Sequence, residues 1–233
     1  MASPSNSSRL FVVGATGGIG KAVVAQALER GHGVTAFVRS PGKLDAARDG
    51  LTVLQGNPLD AEALRAVLPG HDAVVSALGP PGPGATTVAA DGARSMVAAM
   101  QAVGMRRLLA VGVAVLFEDM GLVASILRHT LLRNVAKDSA EMERILRASD
   151  LEWTVARPPR LTNGPRTGRY AVADDRMPPG SGGASVMRRA DVAHFLLEEL
   201  EHPAHVLRLV GMVATKGKAP LTRDGARISS RTQ

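Results

Sequence analysis

The chain has 233 residues, 45% hydrophobic and 21% charged, which suits one soluble α/β domain with a small substrate-binding region. Cysteine is absent, so disulfides, thiolate catalysis and cysteine metal sites are excluded, and only 3% of residues are aromatic, which argues against nucleic-acid binding by base stacking. More than half of the formal net charge of +7 lies in Ala214–Gln233, where Lys216, Lys218, Arg223, Arg227 and Arg231 face Asp224 alone. That stretch, 214–233, reads as a disordered basic tail and leaves the body only mildly basic. The six histidines show no metal-ligand spacing, so no metal is expected. No apolar run reaches the roughly 18 residues of a membrane span. Residues 1–8 are polar, without the apolar core of a signal peptide, and read as a disordered N-terminus; a cytoplasmic location is expected.

The first strand is expected over Arg9–Val13, followed by the turn Gly14-Ala15-Thr16-Gly17-Gly18-Ile19-Gly20 and a helix over Gly18–Arg30. A strand, a glycine turn and a helix in this order present a helix N-terminus to a pyrophosphate. Gly14 makes the tight turn, Gly17 admits the phosphates to the backbone, and Gly20 lets helix and strand pack closely. The second strand, Val34–Val38, runs into Arg39 and Ser40, with no carboxylate before Asp45. An acid there would hold the ribose 2′-hydroxyl of NAD; Arg39, aided by Ser40 and Lys43, instead suits the 2′-phosphate of NADP(H).

Thr52–Gln55 is the third strand, and Asn57-Pro58 follows it before a helix over Asp60–Leu68. Asn57 can bond the adenine edge or serve only as a turn residue. A strand over Ala73–Ala77 leads through Leu78-Gly79 into a Pro/Gly run and a helix over Thr86–Val103. The strand Leu108–Gly112 precedes an apolar stretch, Phe117–Val135, expected to hold a helix near the cofactor mouth. A helix over Ser139–Ala148 and a strand over Trp153–Arg157 come next. Pro158–Gly183 reads as a long loop or lid, before a helix over Arg189–Glu201 and a strand over His205–Val210. Alternating strands and helices predict a Rossmann-type, doubly wound parallel sheet in a single domain over 9–213. The acceptor region falls at about 113–135 and 158–189. Dinucleotide contacts are expected from Gly14, Thr16, Gly17, Gly18, Ile19, Gly20, Arg39, Ser40, Asn57, Pro58, Leu78, Gly79, Gly112 and Pro158.

These residues together resemble the atypical short-chain dehydrogenase/reductases, in the NAD(P)H-binding group that includes NmrA-like proteins. The likeness extends over about residues 9–212. Thr86–Met100, Leu146–Pro159 and Thr167-Gly-Arg-Tyr170 carry it beyond the glycine turn, and they point within the group to the biliverdin-IXβ (flavin) reductases. The resemblance implies reduction of flavins or linear tetrapyrroles by hydride transfer from NADPH. Two family positions differ: its Thr-Ser at the fifth strand's end falls on Gly112-Val113, and its histidine after Pro158-Pro159 falls on Arg160. The Tyr-x-x-x-Lys pair of typical short-chain dehydrogenases is also missing, since Arg133 stands four before Lys137, and the only tyrosine is Tyr170.

No general acid is evident, so catalytic residues are left unassigned and direct hydride transfer to a conjugated ring is the leading reading. Val113, Arg160 and Arg169 are the candidate acceptor contacts, with Arg157 and Arg166 in the same arginine-rich stretch; Arg160 and Arg169 would suit an anionic acceptor. Lys137 is equally open as a nicotinamide-ribose contact or a solvated lysine. A non-catalytic NADP(H)-sensing regulator and a ketone reductase or epimerase remain as alternatives. The expected partner is a small molecule, without nucleic acid or membrane, and the chain is expected as a monomer or weak homo-oligomer.

Overall fold

The structure, a computed structural model, describes residues 7–44, 48–80, 82, 84–118, 121, 125–126 and 129–215. Eight strands form the main sheet: β1 Arg9–Val13, β2 Gly33–Val38, β3 Leu51–Gln55, β4 Ala73–Ser76, β5 Arg107–Val111, β6 Glu152–Arg157, β8 Tyr170–Asp174 and β10 Arg208–Ala214. Their order is β3-β2-β1-β4-β5-β6-β10-β8, and every neighbouring pair is parallel except β8 with β10. β7 Arg160–Thr162 and β9 Val186–Arg188 pair separately, in parallel.

Residues along β1 alternate between two cores because successive side chains of a strand point to opposite faces. Phe11 and Val13 join Met96, Met100, Met142 and Trp153 on one face. Leu10 and Val12 join Val23, Val24, Phe195 and Leu196 on the other. Burial on both faces is why this strand reads as a nearly unbroken apolar run. Helices α1 Gly18–Glu29 and α5 Arg189–Glu201 cover the second face, while α2 Ala61–Val67, α3 Val88–Ala102 and α4 Arg133–Arg147 cover the first. The strand order reverses at β1 and β4, opening a crevice beyond their carboxyl ends, where open α/β sheets bind ligands.

Side chains from distant segments fasten the elements that border this crevice. Asp60 caps α2 in the ordinary way, its Oδ1 accepting from the N–H groups of Glu62 and Ala63. The start of α3 is capped from outside: Asp138 of α4 accepts from Ala89 N at 3.1 Å, Ala90 N at 2.9 Å and Thr86 Oγ1 at 3.1 Å. Ser95 of α3 then donates to the Leu59 carbonyl at 2.7 Å, fixing the turn after β3.

Several expected boundaries move. α4 begins at Arg133 rather than Ser139, because Arg133, Asn134, Lys137 and Asp138 interrupt the apolar periodicity of its first turns. The last strand is Arg208–Ala214 rather than His205–Val210, and so takes in the first residue of the stretch read as tail. His205 faces the Glu199 carboxylate instead, and Leu207 turns with φ of 59°. Pro158–Gly183 contributes β7 and β8, and β8 adds an antiparallel edge to the sheet expected to be wholly parallel. Asp191, fully buried on α5, holds this segment by accepting from Thr167 N, Thr167 Oγ1 and Gly168 N. The helix expected within Phe117–Val135 and the rest of the basic tail, 216–233, fall partly or wholly outside the described residues, as do residues 1–6.

Replacing Asp138 by alanine leaves the first N–H groups of α3 buried without an acceptor. Equilibrium urea unfolding of the D138A variant is expected to show a loss of about 1–3 kcal/mol, the cost of an absent cap and a stranded donor.

Candidate functional site

At the strand reversal, β1 ends in Gly14, whose φ of 75° lies in the left-handed region. A Cβ there would stand 2.5 Å from the carbonyl carbon of Ala77, just past β4. Gly20 lies against the Gly14 carbonyl so closely that a Cβ would fall on that oxygen. These two close approaches draw the start of α1 against the ends of β1 and β4. Gly17 occupies the Ncap of α1 with no capping side chain, and the first turn contains no acid. The helix therefore presents unpaired N–H groups and its positive dipole end to the crevice.

A cavity of about 310 Å³ extends from that turn. Gly14, Thr16, Gly17, Arg39, Asn57, Pro58, Leu78 and Gly79 line it, so eight of the expected contacts meet in one place. Phe37, Lys43, Leu59 and Val88 join them; sequence patterning reads Phe37 and Leu59 as core and turn residues, and only the topology brings them here. The Phe37 ring lies directly over Gly56. Asn57 Oδ1 accepts from Leu59 N at 3.1 Å, so the oxygen shapes the turn while the amide nitrogen is available. Among the described residues neither Arg39 nor Lys43 forms an ion pair. Gly18, Ile19, Gly20 and Ser40 are not part of the lining: Ile19 belongs to the core, and Ser40 opens the one-turn helix Pro41–Lys43. A glycine cradle with an uncapped helix, an apolar slot and two unpaired cations fits a phosphorylated dinucleotide.

A second cavity, of about 410 Å³, opens beyond β5 and β6. Val113, Ala114, Val115, Leu131, Leu132, Val135, Pro158, Pro159, Leu161 and Gly183 form its apolar walls, and Arg160 and Arg189 are the lining side chains with polar groups. The Ala114 N–H donates to the Pro158 carbonyl, joining the two strand ends that carry it. Val113 and Arg160 are thus at this cavity, whereas Arg169 is not among its lining residues. Arg169 precedes β8, and its carbonyl accepts from Thr215 N at the far edge of the sheet. Arg166 lines a different cavity with Arg30, His194 and Glu198.

Arg157 is also displaced from the expected cluster. It is 6% exposed, pairs with buried Glu143 through both Nε and Nη2, and lies 4.3 Å from the ring centroid of Phe117. Phe117 and Trp153 are core residues. Glu143 in turn crowds Gly112: a Cβ there would meet Glu143 Oε1 at 3.1 Å, Val155 at 3.1 Å and Ser139 Oγ at 3.2 Å. A side chain at position 112 would therefore need these neighbours to yield by a few tenths of an ångström. Lys137 is exposed in a wider cleft with Thr86, Asn134 and Glu141, which meets the first cavity at Val88. Tyr170 is remote from the acceptor cavity, in the core beneath α5, with its hydroxyl 2.7 Å from His194 Nδ1. Burial pushes its phenol well above the ordinary value, and nearby carboxylates add to the shift.

Residues 14–203 match the family model described as NAD(P)H-binding. The chain belongs to the NAD(P)H-binding family. The NmrA-like grouping of atypical short-chain dehydrogenase/reductases read from its motifs agrees with this membership. The uncharacterized protein YwnB of Bacillus subtilis is 28% identical over 205 residues, covering 84% of this chain and 94% of YwnB. A "putative NADH-flavin reductase" of Streptococcus pneumoniae superposes with a TM-score of 0.73 at 26% identity, over 90% of this chain and all of that one. A short-chain dehydrogenase/reductase of Veillonella parvula, solved with NADP, shares the fold with a TM-score of 0.75 at 18% identity, over 90% of this chain and 95% of that one. No described helix is long and apolar enough to cross a membrane.

Truncating Arg157 strands the Glu143 carboxylate in the core. R157A is expected to lose about 3–5 kcal/mol in urea unfolding, while the double variant E143L/R157M, which removes both charges, is expected to lose much less.

Proposed function

We propose that this NAD(P)H-binding oxidoreductase uses NADPH to reduce a flat, conjugated and anionic acceptor of the flavin class. The observation that carries the reading is the acceptor cavity, whose described walls are apolar apart from two guanidinium groups. Among the described lining residues there is no hydroxyl, imidazole or carboxyl to protonate a carbonyl oxygen, which disfavours ketone reduction. Tyr170, the remaining candidate donor, is buried outside the described lining of that cavity, with its hydroxyl 2.7 Å from His194 Nδ1.

The reduced nicotinamide supplies a hydride when bound, and a conjugated ring can take it directly with water providing the proton. The protein's part is then to position two rings and exclude water. Val113, Pro158 and Leu132 offer apolar surface to the acceptor, and Arg160 offers a bidentate partner for its phosphate or carboxylate. Leu131, 65% exposed, extends the apolar wall toward solvent. At the other end of the cleft, Arg39 and Lys43 support a 2′-phosphate, and the Asn57 amide nitrogen supports the adenine edge. The likeness to the S. pneumoniae protein described as a "putative NADH-flavin reductase" supports the acceptor class, while the choice of NADPH rests on Arg39 and Lys43.

A non-catalytic NADP(H) sensor is the second reading, favoured by Gly112 and Val113 standing where the resembling family has its Thr-Ser hydroxyls. Turnover separates the two. Purified protein mixed with NADPH and FMN is expected to lose nicotinamide absorbance catalytically and to leave simple ketones untouched. Tight NADPH binding without turnover of flavins, tetrapyrroles or quinones would establish the sensor instead.

Cofactor choice has its own check. Arg39→Ala is expected to weaken NADPH binding by about 1.5–3 kcal/mol in calorimetry, the worth of a charge-assisted contact, with little change for NADH. Equal losses for both dinucleotides would remove Arg39 from the 2′-phosphate.

A further inference from the structure

We propose that Arg189 is a positioning residue that clamps the diphosphate of the bound dinucleotide and couples the two cavities; this rests on the dinucleotide reading above. Arg189 opens α5, and its side chain runs back across the start of α1. A Cβ on Gly18 would stand 2.5 Å from Arg189 Cδ and 2.9 Å from its Nε. Glycine at position 18 therefore provides the room through which the arginine stem passes.

The guanidinium is held at one corner, where Nη1 donates to Asn163 Oδ1 at 2.8 Å. Among the described residues no carboxylate pairs with it, and its other N–H groups are uncommitted. It lies beside the uncapped first turn of α1 and also lines the acceptor cavity with Arg160 and Pro158. A planar cation with spare donors, next to unpaired backbone N–H groups, is suited to two linked phosphates. Because Asn163 belongs to the segment between β7 and β8, a phosphate drawn to Arg189 also steadies the wall of the acceptor cavity. The dinucleotide would then bind before the acceptor.

The test compares NADPH with 2′-AMP, which carries the 2′-phosphate but no diphosphate, on wild type, Arg189→Ala and Arg189→Lys. R189A is expected to weaken NADPH roughly 10- to 100-fold, the range of a lost charge-assisted contact, and to leave 2′-AMP affinity unchanged. R189K is expected to recover part of that loss and to retain its salt dependence. Unchanged NADPH affinity in R189A, with only the KM for FMN raised, would overturn the proposal and make Arg189 an acceptor residue. Equal loss of both ligands would overturn it as a structural effect. A wild-type protein that binds neither ligand would overturn the dinucleotide reading itself.

Discussion

The architecture depends on how closely α1 approaches the ends of β1 and β4. Gly14 in the left-handed region, the Ala77 carbonyl beside it and Gly20 on the Gly14 oxygen form one contact that any side chain would wedge apart. Because that contact is made, the helix start faces the crevice at the strand reversal and the N–H groups of its first turn are uncapped. The sheet accommodates the approach by burying β1 on both faces, so the turn sits on a rigid support. The polar groups of the first cavity are then arranged around a fixed point. Arg39 and Lys43 come from the β2 end, Asn57 from the β3 end and Leu78 from the β4 end.

The second half of the molecule follows a different rule, in which buried charges and long-range caps replace glycine packing. Asp138 secures α3 from α4, Asp191 secures the Thr167–Gly168 turn from α5, and Glu143 with Arg157 fills the space behind Gly112. Each carboxylate spends its acceptors on several donors, as a buried charge must. Among the described residues the lining of the second cavity is apolar apart from Arg160 and Arg189.

The first half was legible in the residues because its signals are local. A strand, a glycine turn and a helix occupy consecutive positions, and the absence of an acid near Arg39 is read directly from the chain. Phe37 and Leu59 were not legible as cleft residues, since only the strand order brings them to Gly14. In the second half the sequence names the arginines without saying which are buried: Arg157 and Arg160 are three residues apart, yet one is a core ion pair and the other a cavity wall. β7 and β8 escaped notice because Pro and Gly surround them and their pairing partners lie far along the chain. The first turns of α4 were not legible because the polar run of Arg133, Asn134, Lys137 and Asp138 masks their helical periodicity.

The antiparallel edge has a consequence for how the molecule is assembled during synthesis. β8 pairs only with β10 in the main sheet, and β10 spans Arg208–Ala214, some 34 residues further along the chain. All the residues that line the dinucleotide cleft, by contrast, lie before residue 89. The Tyr170–Asp174 edge keeps its backbone donors unpaired until Arg208–Ala214 has been made and laid beside it. A chain cut short of Arg208 would leave that raw sheet edge open to neighbouring chains, which makes β10 the guardian of solubility rather than of the chemistry.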